Sequence, residues 1–167
     1  MRPLSPEEQA LVLRVRAAAH ALYDGKVTPP RSCGIALAET FGRATPPYQA
    51  LRRGGITGCG ECGVLVGARM VLGELLGDPD PTGAVTPVLR EAMAELERGW
   101  PTRLDRRAAT HATVCNDLTG QFDDFRSEER HQFCTRLATE MAHLVAEILV
   151  RRDALPEPPA VPGASAP

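Results

Sequence analysis

The chain reads as all-α, a compact bundle of about five to seven helices with a disordered C-terminal tail. Three observations predict this class. Of 167 residues, 43% are hydrophobic but only 4% aromatic, so aliphatic side chains and alanine must fill the core. Aromatic and β-branched residues are the usual strand formers, so this favours helix packed on helix. Apolar residues recur at helical spacing, and no segment alternates as a half-buried strand would. Ser, Thr, Pro and Gly stand where helix starts and stops need them.

The elements follow in order. Ser5-Pro6-Glu7-Glu8 opens the first helix: Ser5 caps, Pro6 suits the first helical position, and Glu8 completes a capping box. This helix is expected to run to about Tyr23 and stop at Gly25. Val27 to Arg31 is a proline-containing loop. A second helix is expected from Ser32 to Gly42, packing Ile35, Leu37, Ala38 and Phe41. Thr45 to Pro47 is a turn, followed by a short helix through Tyr48 and Leu51. Gly54 to Gly60 is a glycine-rich loop, and a helix follows from about Glu61 to Leu76. Thr86-Pro87 opens the next, with Leu89, Met93 and Leu96 on one face and Gly99 as its end. Arg103 to Leu118 is predicted as an irregular helix broken at Gly120. Ser127 caps the last helix, with Glu128 and Glu129 in its positive first turn and Arg151 and Arg152 near its negative end. Leu137, Met141, Leu144, Val145 and Ile148 form its apolar stripe. Residues 1–153 make one domain, and Ala154 to Pro167, rich in proline and alanine, is the tail.

Composition excludes several function classes. A formal net charge of −2 argues against binding a nucleic-acid backbone. No stretch approaches the roughly 20 apolar residues of a membrane span, so no membrane insertion is expected. Met1 to Glu8 turns polar and acidic at once, which reads against a signal peptide and makes the cytoplasm the expected compartment. No phosphate-binding loop, nucleotide fingerprint or Ser-His-Asp order is found.

Chemistry therefore falls to the cysteines: Cys33, Cys59, Cys62, Cys115 and Cys134. Five is odd, so they cannot all pair within the chain. In a reducing compartment such a set points to metal, cluster or redox use. Cys59 and Cys62 lie in Gly58-Cys-Gly-Glu-Cys-Gly63. A helix beginning near Gly60 would place both sulfurs at its N-terminal turn, where backbone N–H groups favour a thiolate. Cys33, after Ser32 as the expected cap, is placed at another helix start, and Cys134 on the inward face of the last helix. Cysteines from four elements can then converge, as ligands on facing helices do. Gly63 and Gly67 share a helix face, which allows close approach of a neighbouring helix or a cofactor.

These residues resemble the redox-active family named for its C–GCAxxG–C–C pattern. Cys33 matches the first cysteine, and Cys62-Gly63-Val64-Leu65-Val66-Gly67 the central motif. Cys115 in Cys-Asn-Asp-Leu-Thr-Gly matches the third cysteine and Cys134 the fourth. The resemblance spans roughly Leu22 to Leu149. Val64 stands where the family has alanine, and Cys59 is additional. The resemblance implies redox activity or cluster binding.

Three functions follow. The first is an electron carrier whose [2Fe–2S] or [4Fe–4S] cluster, or other metal, is ligated by Cys33, Cys62, Cys115 and Cys134, with Gly63 and Gly67 beside it. The second is a thiol–disulfide oxidoreductase with no cofactor, Cys59 attacking and Cys62 resolving. The third is a non-enzymatic helical binding protein with buried thiols. The redox readings require a redox partner protein, which Arg52-Arg53 or Arg106-Arg107 would dock if its surface were acidic. A homodimer is compatible with a cysteine site between helices.

Overall fold

Side-chain capping sets the starts of the three longest helices. In a computed structural model describing residues 2–160, α1 (Pro6–Asp24) begins at a complete capping box. The Ser5 hydroxyl accepts from the Glu8 N–H at 3.2 Å, and the Glu8 carboxylate accepts from the Ser5 N–H at 2.7 Å. Gly25, at φ +80°, closes the helix in the left-handed conformation. α2 (Cys33–Thr40) is short, and a 3₁₀ helix (Pro46–Leu51) follows it. Then come α3 (Gly63–Leu76), α4 (Pro87–Arg103), α5 (Cys115–Thr119) and α6 (Glu128–Val150). Thr86 caps α4 and Ser127 caps α6 through their hydroxyls. No named strand occurs among the described residues; one isolated antiparallel bridge joins Glu61 and Val114.

The bundle is organised around α6. Its apolar stripe faces α1 above all, and α2, α3 and α4 pack on it as well. Phe133, Leu137, Met141, Leu144, Val145 and Ile148 are all buried. Each such side chain contributes on the order of 1.5–3 kcal/mol when fully removed from water. Val15, Ala19 and Leu22 come from α1, and Leu65, Ala68 and Leu72 from α3. Small residues let helices meet closely. A Cβ on Gly67 would lie 3.3 Å from Gly34 Cα, so α3 and α2 touch almost backbone to backbone.

Three boundaries differ from the sequence reading. α4 does not end at Gly99 but continues through it to Arg103, with Pro101 in the last turn. Gly99 is a contact point instead: a Cβ there would meet Leu144 Cδ2 at 2.8 Å. α3 starts at Gly63 rather than Glu61. Residues 104–114 are a loop, and only Cys115–Thr119 of the expected irregular helix is helical. The buried Arg106 guanidinium organises that loop, donating to Ala112 O at 3.1 Å and Pro101 O at 3.4 Å. Its charge sits over the Trp100 ring, 5.6 Å from the centroid.

Arg151 and Arg152 stand just past α6 and donate to its terminal carbonyls. Both also pair with the buried Glu95 at 3.1 Å, which ties α4 to the end of α6. The expected tail begins as irregular chain over 154–160, with Leu155 packed against the core. Residues 161–167 of that expectation lie outside the described residues.

Candidate functional site

Four of the five cysteines line one pocket of about 240 Å³. Cys33 comes from the first position of α2 and Cys62 from the cap of α3. Cys115 opens α5, and Cys134 lies within α6. All four are free thiols. Apolar side chains supply most of the remaining wall, including Val64, Leu118, Phe133 and Leu137.

Backbone pairing fixes the loop side of this pocket. The Cys62 N–H donates to Thr113 O at 2.7 Å, Cys115 N–H to Gly60 O at 3.0 Å, and Asn116 N–H to Gly58 O at 2.9 Å. Residues 58–62 and 113–116 thus form a short antiparallel ladder that carries two pocket cysteines. The loop before it is left-handed over most of its length: Arg53, Gly54, Gly55, Ile56 and Gly58 all have positive φ, from 47° to 83°. Glycine takes this conformation freely; Arg53 and Ile56 hold it at a cost of order 1–2 kcal/mol each. Gly54 is required for a second reason, because a Cβ there would meet Cys115 Cβ at 2.5 Å and Gly60 O at 2.6 Å.

The helix side relies on close approach. A Cβ on Gly63 would run into the Leu51 carbonyl oxygen and meet Cys33 Sγ at 2.7 Å. Gly63 therefore admits the Cys33 sulfur, while Gly67 admits the α2 backbone. Neither glycine borders the pocket itself.

Electrostatics in the pocket run against the thiolate expected from the helix starts. The Gly34 N–H faces the Cys33 sulfur and the Val64 N–H faces the Cys62 sulfur, and both favour ionisation. Burial outweighs them. It pushes the Cys33 thiol up to about 11 and the Cys62 thiol well above the ordinary range. Cys115 and Cys134 are also raised by burial. Cys134 is partly relieved by the Arg130 guanidinium and the Tyr23 hydroxyl beside it. Desolvation of four neighbouring sulfurs disfavours each charged form, and the neighbours reinforce one another.

Cys59 is placed differently. It is exposed on the outer side of the ladder and does not line the pocket. Its sulfur accepts from Asn116 Nδ2 at 3.9 Å. The Cys-x-x-Cys segment is thus split between solvent and pocket, with Cys62 inside. Neither Cys59 nor Cys62 occupies the first helical turn, because the helix starts one residue beyond Cys62.

Among the described residues, no three Cys, His, Asp or Glu side chains are arranged to hold a single metal ion. His131 stacks on Tyr23 with centroids 5.6 Å apart, and its Nε2 donates to Asp24 O at 3.1 Å. His143 pairs with Glu147 at 3.0 Å. His111 borders a separate polar recess with Arg106 and Arg107.

Sequence reasoning missed Tyr23, Phe125 and Arg130, all of which line the pocket. One signal was present: Arg130 lies one helical turn before Cys134, so the two share a face. Ser32 was expected to cap α2, but its side chain makes no cap hydrogen bond. It borders the pocket instead, with its hydroxyl buried and unpartnered.

Fold and site together define a small all-helical protein with a four-cysteine pocket. A family model described as "Putative redox-active protein (C_GCAxxG_C_C)" matches residues 31–148, and the chain belongs to that family. The match takes in all five cysteines. No curated protein and no solved structure matches the chain. No helix among the described residues is long and apolar enough to cross a membrane.

Proposed function

We propose that the protein is an electron carrier that holds an iron–sulfur cluster through Cys33, Cys62, Cys115 and Cys134. The observation that carries this reading is the convergence of four unpaired thiols, from four elements, on one largely apolar pocket. The donor set fits the group, since four thiolates satisfy a [2Fe–2S] or [4Fe–4S] cluster. A cluster distributes its ligands over several irons, so the sulfurs need not converge on one point. Bound there, it would supply one-electron transfer. The chain's own part is to present the sulfurs and to keep water from most of the site.

Burial supports the same reading. The Cys33 thiol, pushed up to about 11, and the Cys62 thiol, raised well above its ordinary range by burial, stay protonated at neutral pH and are slow nucleophiles. Iron replaces those protons and offsets the buried negative charge, which no solvent does here. A resting dithiol enzyme is better served by a lowered thiol, which none of the four provides.

Anaerobic purification with iron, sulfide and thiol analysis tests this. Visible absorption near about 400 nm with stoichiometric iron and acid-labile sulfide is expected, and it should be lost in Cys62→Ser but kept in Cys59→Ser. A colourless, iron-free protein that gains two thiols on mild reduction would sink the cluster and leave thiol–disulfide exchange. Five thiols that neither bind iron nor change on reduction would sink both.

A further inference from the structure

The polar groups around the cysteine pocket are one-sided. Arg52, Arg53 and Arg130 line it, and no Asp, Glu, Asn, Gln or His does. Arg151 and Arg152 elsewhere share the buried Glu95. By contrast, none of the three pocket arginines makes an ion pair among the described residues. Arg53 and Arg130 are held in place by stacking on Phe125, with guanidinium carbons 4.9 and 4.4 Å from the ring centroid. Arg130 Nε donates to Phe125 O at 2.5 Å, and its guanidinium also lies against the Cys134 thiol in the pocket.

Ser32 adds an independent sign. Its backbone occupies the cap position of α2, where a serine hydroxyl ordinarily bonds a helix N–H and contributes about 1 kcal/mol. Here the hydroxyl makes no such bond and lies buried without any partner. A buried hydroxyl left unsatisfied costs about 1–3 kcal/mol, so it calls for an explanation. A pocket occupant that accepts hydrogen bonds supplies one.

We infer that the cysteine pocket is built to hold an anion, with the guanidiniums of Arg53 and Arg130 and the hydroxyl of Ser32 as its donors. Under the function proposed above, on which this assignment of the occupant rests, the anion is the cluster with its four thiolates. Those four charges exceed the positive charge of the iron core. The same donors would equally receive a carboxylate or phosphate of a diffusible molecule. In either case the donors stabilise negative charge in the pocket. For a cluster they favour the reduced state, because hydrogen bonds to the sulfurs and net charge set its potential. These are positioning residues: they act on the occupant's charge and do not ligate iron.

The test uses the full chain carrying Cys59→Ser, so that no exposed thiol contributes. In the reduced, iron-free protein, the pocket cysteines are labelled with iodoacetate and, separately, with neutral iodoacetamide. The ratio of the two rates should fall several-fold in Arg130→Gln, fall less in Ser32→Ala, and stay at its starting value in Arg130→Lys. Arg126→Gln, an exposed arginine outside the pocket, should leave the ratio unchanged. Should Arg130→Gln fail to fold by circular dichroism, the exposed Arg53→Gln carries the same expectation. An unchanged ratio in the folded arginine-to-glutamine variant overturns the inference, with or without iron in the native protein. Where iron is bound, the midpoint potential should drop in Arg130→Gln and Ser32→Ala, and unchanged potentials in both also overturn it. Absence of iron from the unaltered protein sinks the cluster reading alone, while the labelling ratio still decides whether the pocket favours an anion.

Discussion

On one side of the cysteine pocket, Cys33 and Cys134 ride on α2 and α6, helices locked into the core by aliphatic packing. On the other, Cys62 and Cys115 are held by a backbone ladder between two loops, and the chain leading into it runs left-handed. The helix wall obtains its geometry from side chains that exclude water. The loop wall obtains it from hydrogen bonds and from glycines that allow one backbone to lie against another. Exposure does not follow from the amount of packing behind each wall. Cys33 and Cys134 on the helix wall are partly exposed, whereas Cys62 and Cys115 on the loop wall are buried, and Cys59 lies outside on the same loop.

That contrast can be broken most sharply with a thiol probe. In the reduced, iron-free protein at pH 8, iodoacetamide should label one thiol quickly, Cys59, and the four pocket thiols far more slowly. Cys33, pushed up to about 11, is ionised to roughly one part in a thousand at that pH. The sign is set by the proton: raising the pH toward 11 ionises the thiol and speeds labelling of Cys33, about tenfold per unit. Peptide mapping by mass spectrometry checks the order. Equal labelling of all five at pH 8 would show that the loop wall does not shield the pocket.

The next largest effects separate the two walls by their glycines. Gly63→Ala drives a methyl into the Leu51 carbonyl and the Cys33 sulfur, and the backbone oxygen has little room to retreat. Gly54→Ala combines a clash with Cys115 Cβ and Gly60 O with a left-handed φ of 56°. Each should destabilise by about 3 kcal/mol, the upper range of overpacking. Urea denaturation measures both. Gly54→Ala should in addition speed labelling of Cys62 and Cys115, because it strains the ladder itself; a loss of stability without faster labelling would place the ladder's strength elsewhere.

The two walls were not equally legible in the sequence. α1 and α6 were readable almost to the residue, because Ser5 with Glu8, Gly25 and Ser127 are local signals that packing only reinforces. The four pocket cysteines could be selected by their order and local context. Their ladder could not: a single bridge between Glu61 and Val114 leaves no alternating pattern to find. The left-handed turn was half visible, in its glycines, but Arg53 and Ile56 share it without any signature of their own. Ser32 misled because serine before a helix reads as a cap, and only the fold shows that its hydroxyl makes no cap bond and that the residue borders the cysteine pocket. Arg106 replaced an expected helix over 104–114 by binding the carbonyls of Pro101 and Ala112, side-chain contacts within the loop that no helix propensity records.

The smallest effect lies within the helix wall and has the opposite sign. Gly73 is inside α3, at helical φ, and a Cβ there would meet nothing within 4 Å. No contact explains its presence, unlike Gly63 and Gly67 on the same helix. Gly73→Ala should therefore stabilise the protein by roughly 0.5–1 kcal/mol, through the entropy that alanine does not lose on folding. The gain should leave cysteine labelling untouched, since the residue faces away from α2 and the pocket. Denaturant midpoints at constant m-value read the stability, and a parallel alkylation series reads the pocket. A Gly73→Ala protein that is destabilised, or whose Cys33 labels faster, would mean that α3 needs its flexibility and that the helix wall is less rigid than its packing implies.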